Sequence, residues 1–378
     1  MQLFTNNVCF IKEGGITVID NAGIFIWGTG LRARKINEIY GNELKEEKIL
    51  GYIDNDPNKV GSDFWGYKVY SPLILNEYPK CYIYIAVYKQ DEIYAQICNE
   101  FSDKKSMVLE KEYFGKKKLI TRYRDSEDEE IREIVSYLRN NPLDVFNYEF
   151  VKKYNCEDMV IESENGLLYT IHNGKKMFFS KDFDNEEKVR TYYKSLLVEQ
   201  DLKSPHRYIT DDFKVENGSV IIDAGVAEGN FTLDVVDQIK KAYLFEPDKN
   251  WVEALYMTFS QYDDKIKIIN KAVSDYCDEE TTTIDIAVNE ERVDFIKMDI
   301  EGEEYYALNG AKKIIDRSKG MRAVVCAYHQ EFAYEAINNK LKEYGFKTDH
   351  SYGYMWYVEH FNVMRPAVLR RGLIRAEK

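Results

Sequence analysis

Short apolar runs alternate with longer stretches of helix-spaced polarity along most of this chain. In the first third, "GIFIWGTGLRARKINEIY" (23–40) reads as a strand, a glycine turn and a helix. "ILGYIDNDPNKVG" adds a strand ending in Asp54, Asn55 and Asp56, and "CYIYIAVYKQDEIYAQICNEF" adds another with a helix behind it. That alternation predicts a parallel sheet with helices on its faces, a Rossmann-like domain over 1–120. Between 121 and 200 the pattern changes. "DSEDEEIREIVSYLRNN" predicts an amphipathic helix behind an acidic cap, and "MVIESENGLLYTIHNGKKMFFS" predicts hairpins at its Asn-Gly pairs. With the helix "NEEKVRTYYKSLLVEQ", this region is expected to be an antiparallel preface to the second domain.

From 219 the strand–helix alternation resumes with "SVIIDAG", "AYLFEPD", "KIKIINKAVS", "VDFIKMDIEG" and "RAVVCAYHQ". Two further runs, "GFKTDHSY" and "YMWYVEHFNV", are joined around Gly353, which predicts a closing antiparallel hairpin. The basic tail "RPAVLRRGLIRAEK" reads as a solvated end. The fold class is therefore α/β: a doubly wound sheet over 201–378 with a terminal hairpin, preceded by the smaller α/β domain.

Composition narrows the function classes. With 378 residues, the chain suits two domains, each with its own core. A formal net charge of -13 argues against a general nucleic-acid-binding surface. The six cysteines, at 9, 81, 98, 156, 277 and 326, show no metal-ligand spacing and sit mostly in apolar contexts, which favours a reducing cytoplasm. No apolar run approaches the roughly 20 residues that span a bilayer, and no signal-peptide pattern opens the chain. A cytoplasmic location is expected.

The candidate chemistry begins at "VIIDAGVAEGNFT" (220–232), a strand followed by a glycine turn. Gly225 and Gly229 permit close backbone approach, yet Asp223 and Glu228 would repel a phosphate. Glu246 ends the next strand 23 residues after Asp223, a spacing suited to a ribose diol. A cationic nucleoside without phosphate meets both requirements, and S-adenosylmethionine is the expected cofactor. Asn230, Phe231 and Pro247 flank these acids as further cofactor candidates, and Lys271, Ala272 and Val273 lie where a purine would rest. Asp299 and His329 end the fourth and fifth strands, adjacent in this strand order, and are the candidate catalytic pair. His329 is the expected base because an unperturbed imidazole titrates near neutrality; Asp299 orients the His or the acceptor, or serves as base itself. His206, Arg207 and Glu301 are candidates for an acceptor rim.

The run from about 204 to 330 resembles the FkbM family of S-adenosylmethionine-dependent methyltransferases, and "KMDIEGEE" is the most specific of the matching stretches. The resemblance implies a class I methyltransferase fold, transfer mostly to oxygen, and a glycan or small-molecule acceptor. Family members commonly carry a Glu two residues before the His; here that position is Ala327. A divalent metal at Asp299 is compatible with the pattern but stays unassigned.

In the first domain "GTGLRA", with Gly28, Gly30 and Asp54, has the form of a nucleotide-binding turn and resembles the small Rossmann-like domains of sugar-modifying enzymes such as sugar acyltransferases. A scaffold-only role fits this single motif as well. For the whole chain, the competing reading is a non-catalytic cofactor-binding scaffold of glycan biosynthesis. The oligomeric state is not read from the sequence.

Overall fold

The structure is a computed structural model that describes residues 22–357 and 367–378. Its contacts divide the chain into two units at Tyr148 and Glu149.

In the first unit, β1 (Ile24–Trp27), β2 (Ile49–Ile53), β4 (Tyr67–Tyr70) and β5 (Tyr82–Ile85) are parallel, and β3 (Asp63–Phe64) adds an antiparallel edge. The order is β3-β4-β2-β1-β5. Alternation decides the two faces. Ile24, Ile26 and Tyr84 pack with Ala33 and Ile36 of α1 (Leu31–Lys45) and Phe114 of α3 (Tyr113–Tyr123). Phe25, Trp27 and Ile83 pack on the other side with Ile97 of α2 (Gln90–Glu100). Helix α4 (Glu129–Leu138) starts as its sequence predicts, with the Asp128 carboxylate accepting from the amides of Glu130 and Ile131. It packs on α3.

The region 121–200 is thus divided. Its first helix belongs to the first unit, while β6 (Glu162–Glu164), β7 (Leu167–His172), β8 (Lys175–Phe178) and α5 (Glu186–Glu199) belong to the second. Both Asn-Gly pairs form the hairpin turns, with left-handed backbone at Asn165, Gly166, Asn173 and Gly174.

The second unit is built on a seven-stranded sheet. β9 (Val220–Ala224), β10 (Lys241–Phe245), β11 (Ile266–Ile269), β14 (Phe295–Met298) and β15 (Arg322–Cys326) run parallel. The order is β11-β10-β9-β14-β15, followed by the C-terminal strand Leu373–Glu377 and then β16 (Lys347–His350). The C-terminal strand is antiparallel to both neighbours. This is the strand order of a class I methyltransferase, with one correction to the sequence reading. The reversed partner of β16 is the basic tail, not "YMWYVEHFNV", of which 358–363 lie outside the described residues. Leu373, Ile374 and Ala376 are buried, so the tail closes the sheet rather than lying in solvent.

Helix α6 (Asn230–Val235) follows β9, and α7 (Lys249–Thr258) follows β10. Two short strands, β12 (Ala272–Val273) and β13 (Thr281–Thr282), pair beyond β11, and α8 (Ile284–Val288) precedes β14. Helix α9 (Glu304–Asn309) leaves the turn after β14. The core on one face gathers Ile222, Ala224, Ile296, Met298 and Val325 with Leu308 and Ile314. Strand order reverses between β9 and β14, which opens a crevice at their carboxyl ends.

Candidate active site

Asp223, Glu246 and Asp299 lie at neighbouring strand ends beside that crevice, but their partners change what they can do. The loop after β9 is drawn tightly onto β14. A Cβ on Gly225, whose φ is +76°, would lie 1.8 Å from the carbonyl oxygen of Asp299. Only glycine fits there. Two residues on, Ala227 also has a positive φ of 48°, and its amide donates to Glu246 Oε2 at 2.8 Å. The Asp248 amide donates to the other oxygen at 2.9 Å, so Glu246 is fixed at the end of β10 by two backbone donors. Burial raises its carboxyl above the ordinary range, against those two bonds.

Asp223 is 1% exposed, and its charge is not free. Lys297, beside it in the β9–β14 register, lies 3.0 Å from Oδ1, and the Thr232 hydroxyl donates to Oδ2 at 2.7 Å. The ion-pair distance is short, although Oδ1 has no well-aligned hydrogen bond. Glu228 points inward: the Tyr192 hydroxyl from α5 donates to it at 2.7 Å, and burial pushes its carboxyl up to about 7. The loop that is acidic in sequence is therefore close to charge-balanced in the fold.

The other residues expected at the cofactor have neighbours of their own. Phe231 is buried and stacks on Phe295 at 5.7 Å, and Asn230 turns its side-chain oxygen to the Phe231 amide. Gly229, also left-handed, faces Phe259 and Leu255. Val273 lies in the core. Lys271 donates to the carbonyl of Asp278, and Ala272 sits beside it in β12, half-buried. Pro247 is exposed, and its carbonyl, with that of Glu246, accepts from Asn270, a residue the sequence reading passed over.

Asp299 is the centre of a buried polar cluster. Tyr208 donates to Oδ2 at 2.8 Å and Tyr328 to Oδ1 at 3.2 Å; His329 Nε2 lies 3.3 Å from Oδ1 and His206 Nε2 3.6 Å from Oδ2. Burial works against its charge, but His329 and Lys297 nearby hold its carboxyl well below the usual range. A carboxylate so fully engaged is a poor base, which corrects the expectation that it takes a proton itself.

His329 is corrected too. Its Nδ1 lies 3.0 Å from Glu304 and its Nε2 faces Asp299. Burial favours the neutral ring, but Glu304 and Asp299 outweigh it and raise the imidazole to about 10. Both neighbouring carboxylates favour its protonated form, which lacks the free lone pair that a general base needs. Glu304 is buried, and its Oε1 also accepts from the amide of Ile300 at 3.0 Å, so it does more than favour the start of α9. His206 is the opposite case, since burial lowers it to about 4 and keeps it neutral beside Cys326. Arg207 does not join this cluster; its guanidinium bonds the carbonyl of Gln200.

Glu301 is the carboxylate of the group that reaches solvent, with its side chain 47% exposed. Its φ of 59° is left-handed, which is uncommon for Glu, and the Tyr357 hydroxyl lies 3.4 Å from its Oε2. Among the described residues, two sets of side chains are close enough to share a metal, His206–Asp299–Cys326 and Asp299–Glu304–His329. Tyrosine donors already occupy both oxygens of Asp299, the member common to the two sets. No step is assigned to a metal.

Tyr208, Tyr328, Tyr192 and Lys297 were not found from sequence. Only Lys297 left a signal there, as a charge inside the apolar strand "FIKM". A cleft of about 580 Å³ whose lining mixes basic residues such as Lys214 and Arg322 with the acids Glu216, Glu291 and Asp294 lies at the opposite, amino ends of the strands. In the first unit, Gly28 and Gly30 bracket Thr29 between β1 and α1. Asp54 accepts from the Thr29 amide and hydroxyl, from Lys59 and from the Asp56 amide. The carboxylate expected to take a ribose is engaged in closing its own loop.

Residues 20–108 match the family described as C2185-like, N-terminal. No curated relative matches the chain. Among solved structures, it is similar to a methyltransferase FkbM from Methylobacillus flagellatus KT, at 14% identity and TM-score 0.40, covering 97% of this chain and 95% of that one. It is also similar to a putative methyltransferase from Streptococcus mutans in complex with SAH, at 19% identity and TM-score 0.30, covering 43% and 90%. A third is a precorrin-6y C5,15-methyltransferase from Geobacter metallireducens GS-15, at 9% identity and TM-score 0.31, covering 44% and 84%. Residues 259–348 match the family model described as methyltransferase FkbM domain.

Proposed function

We propose that the second unit is an S-adenosylmethionine-dependent methyltransferase acting on a sugar hydroxyl of a glycan or nucleotide-sugar precursor. The observation that carries the reading is the convergence of Asp223, Glu246 and Asp299 at three neighbouring strand ends, drawn together by Gly225. When bound, the cofactor supplies an electrophilic methyl group on a sulfonium. Glu246, aimed by two backbone amides, holds the ribose diol. Asp299, fixed by two tyrosines and His329, orients the acceptor side. Alignment supplies much of the rate, as expected for an in-line displacement. The acceptor proton passes to Glu301, the solvent-reaching carboxylate beside the His329 cation.

Calorimetry with S-adenosylhomocysteine tests the cofactor. The folded protein should bind it, and Glu246→Ala should weaken binding by about 10- to 100-fold, the worth of hydrogen bonds to a charged group. Wild-type protein that fails to bind sinks the reading. Mass spectrometry of cell-surface glycans with and without this gene tests the acceptor through the loss of a methyl group.

A further inference from the structure

Lys297 is a buried lysine, 3% exposed, in the middle of an apolar strand. Burial opposes its charge, yet Asp223 and then Asp299 hold it above the ordinary lysine range. Its Nζ lies 3.0 Å from Asp223 Oδ1, donates to the carbonyl of Gly225 in the glycine loop, and sits 5.3 Å from the centre of the Tyr208 ring. It therefore ties together β14, the loop after β9, and the aromatic group that binds Asp299. Its charge is also felt at Glu199, Glu228 and Glu246, each of which it favours in the ionised form.

We propose that Lys297 is a charge-balancing positioning residue that sets how strongly the pocket prefers the sulfonium of S-adenosylmethionine over the neutral thioether of its product, S-adenosylhomocysteine. This rests on the methyltransferase reading above. Asp223 without its partner would present a buried negative charge at the crevice and favour the cationic cofactor. Paired with Lys297, it leaves recognition to the parts that cofactor and product share. The two ligands then compete for the site on nearly equal terms.

The test is the ratio of the two dissociation constants, measured by calorimetry for the full chain. Lys297→Met should shift the ratio toward S-adenosylmethionine roughly tenfold, the effect of one uncompensated charge in a partly screened site. Asp223→Asn, which leaves the lysine unpaired, should shift it the other way, and Lys297→Arg should leave it near the wild-type value. A lysine that only stabilises the fold would lower the melting temperature and both affinities while the ratio stayed fixed. Should Lys297→Met fail to fold, since removing one partner of a buried pair is costly, the double variant Asp223→Asn/Lys297→Met removes both and should restore the wild-type ratio. A ratio unmoved in Asp223→Asn, or in Lys297→Met where that variant folds, overturns the proposal alone. Wild-type protein that binds neither ligand overturns the methyltransferase reading and this inference with it.

Discussion

Glu304 decides the chemistry of His329. In sequence it is one acid among three at the start of a helix; in the fold it is buried 3.0 Å from the imidazole. The strand-then-acid pattern was enough to bring Asp223, Glu246, Asp299 and His329 to one crevice. It could not reveal their charge states, because those depend on Tyr208, 91 residues from Asp299, and on Lys297, 74 residues from Asp223. The consequence is measurable. A histidine raised to about 10 when folded contributes stability that is fully present below its unfolded value near 6.5 and lost as pH rises through about 10. His329→Asn should cost on the order of 3–5 kcal/mol at neutral pH by leaving two carboxylates facing no cation. That cost should shrink as pH approaches 10, as urea denaturation across the range would show. A constant difference would mean the imidazole is neutral, and would restore it as a candidate base.

Elements were read well where local chemistry sets them and poorly where pairing is remote. The Asn-Gly turns and the five parallel strands of the second sheet carry their own signals. The C-terminal strand does not. "LIRAE" is short and holds two charges, so it reads as a polar tail, and its assignment needs β15 and β16 on either side. Arg375 and Glu377 do keep some exposure, while Leu373, Ile374 and Ala376 fill the sheet. Ile374→Ala should therefore cost about 2–5 kcal/mol in chemical denaturation, as for other buried truncations. A solvated tail would lose less than about 0.5 kcal/mol.

At the scale of the molecule, composition shifts suggested boundaries near 120 and 200; the contacts divide the chain between Tyr148 and Glu149, and again between Leu369 and Arg370 near its end. The amphipathic face of α4 shows that the helix packs, not which neighbour it packs on. Each unit has its own core: Phe25, Trp27 and Ile83 on one face of the first sheet, and Ile222, Ile296 and Met298 in the second unit. The proposed cofactor acids all sit on β9, β10 and the turn after β14, so ligand stabilisation belongs to the second core. S-adenosylhomocysteine at about a hundred times its dissociation constant should add ~2.7 kcal/mol to the unit that binds it. Amide exchange through unfolding of that unit should then slow by about 100-fold. Exchange mass spectrometry should find the slowing in Val220–Ala224 and Phe295–Met298, with little change in Ile24–Trp27 and Tyr82–Ile85. Slowing confined to the first unit would instead move the nucleoside to the Gly28–Gly30 turn, where Asp54 would have to release Thr29 to receive it.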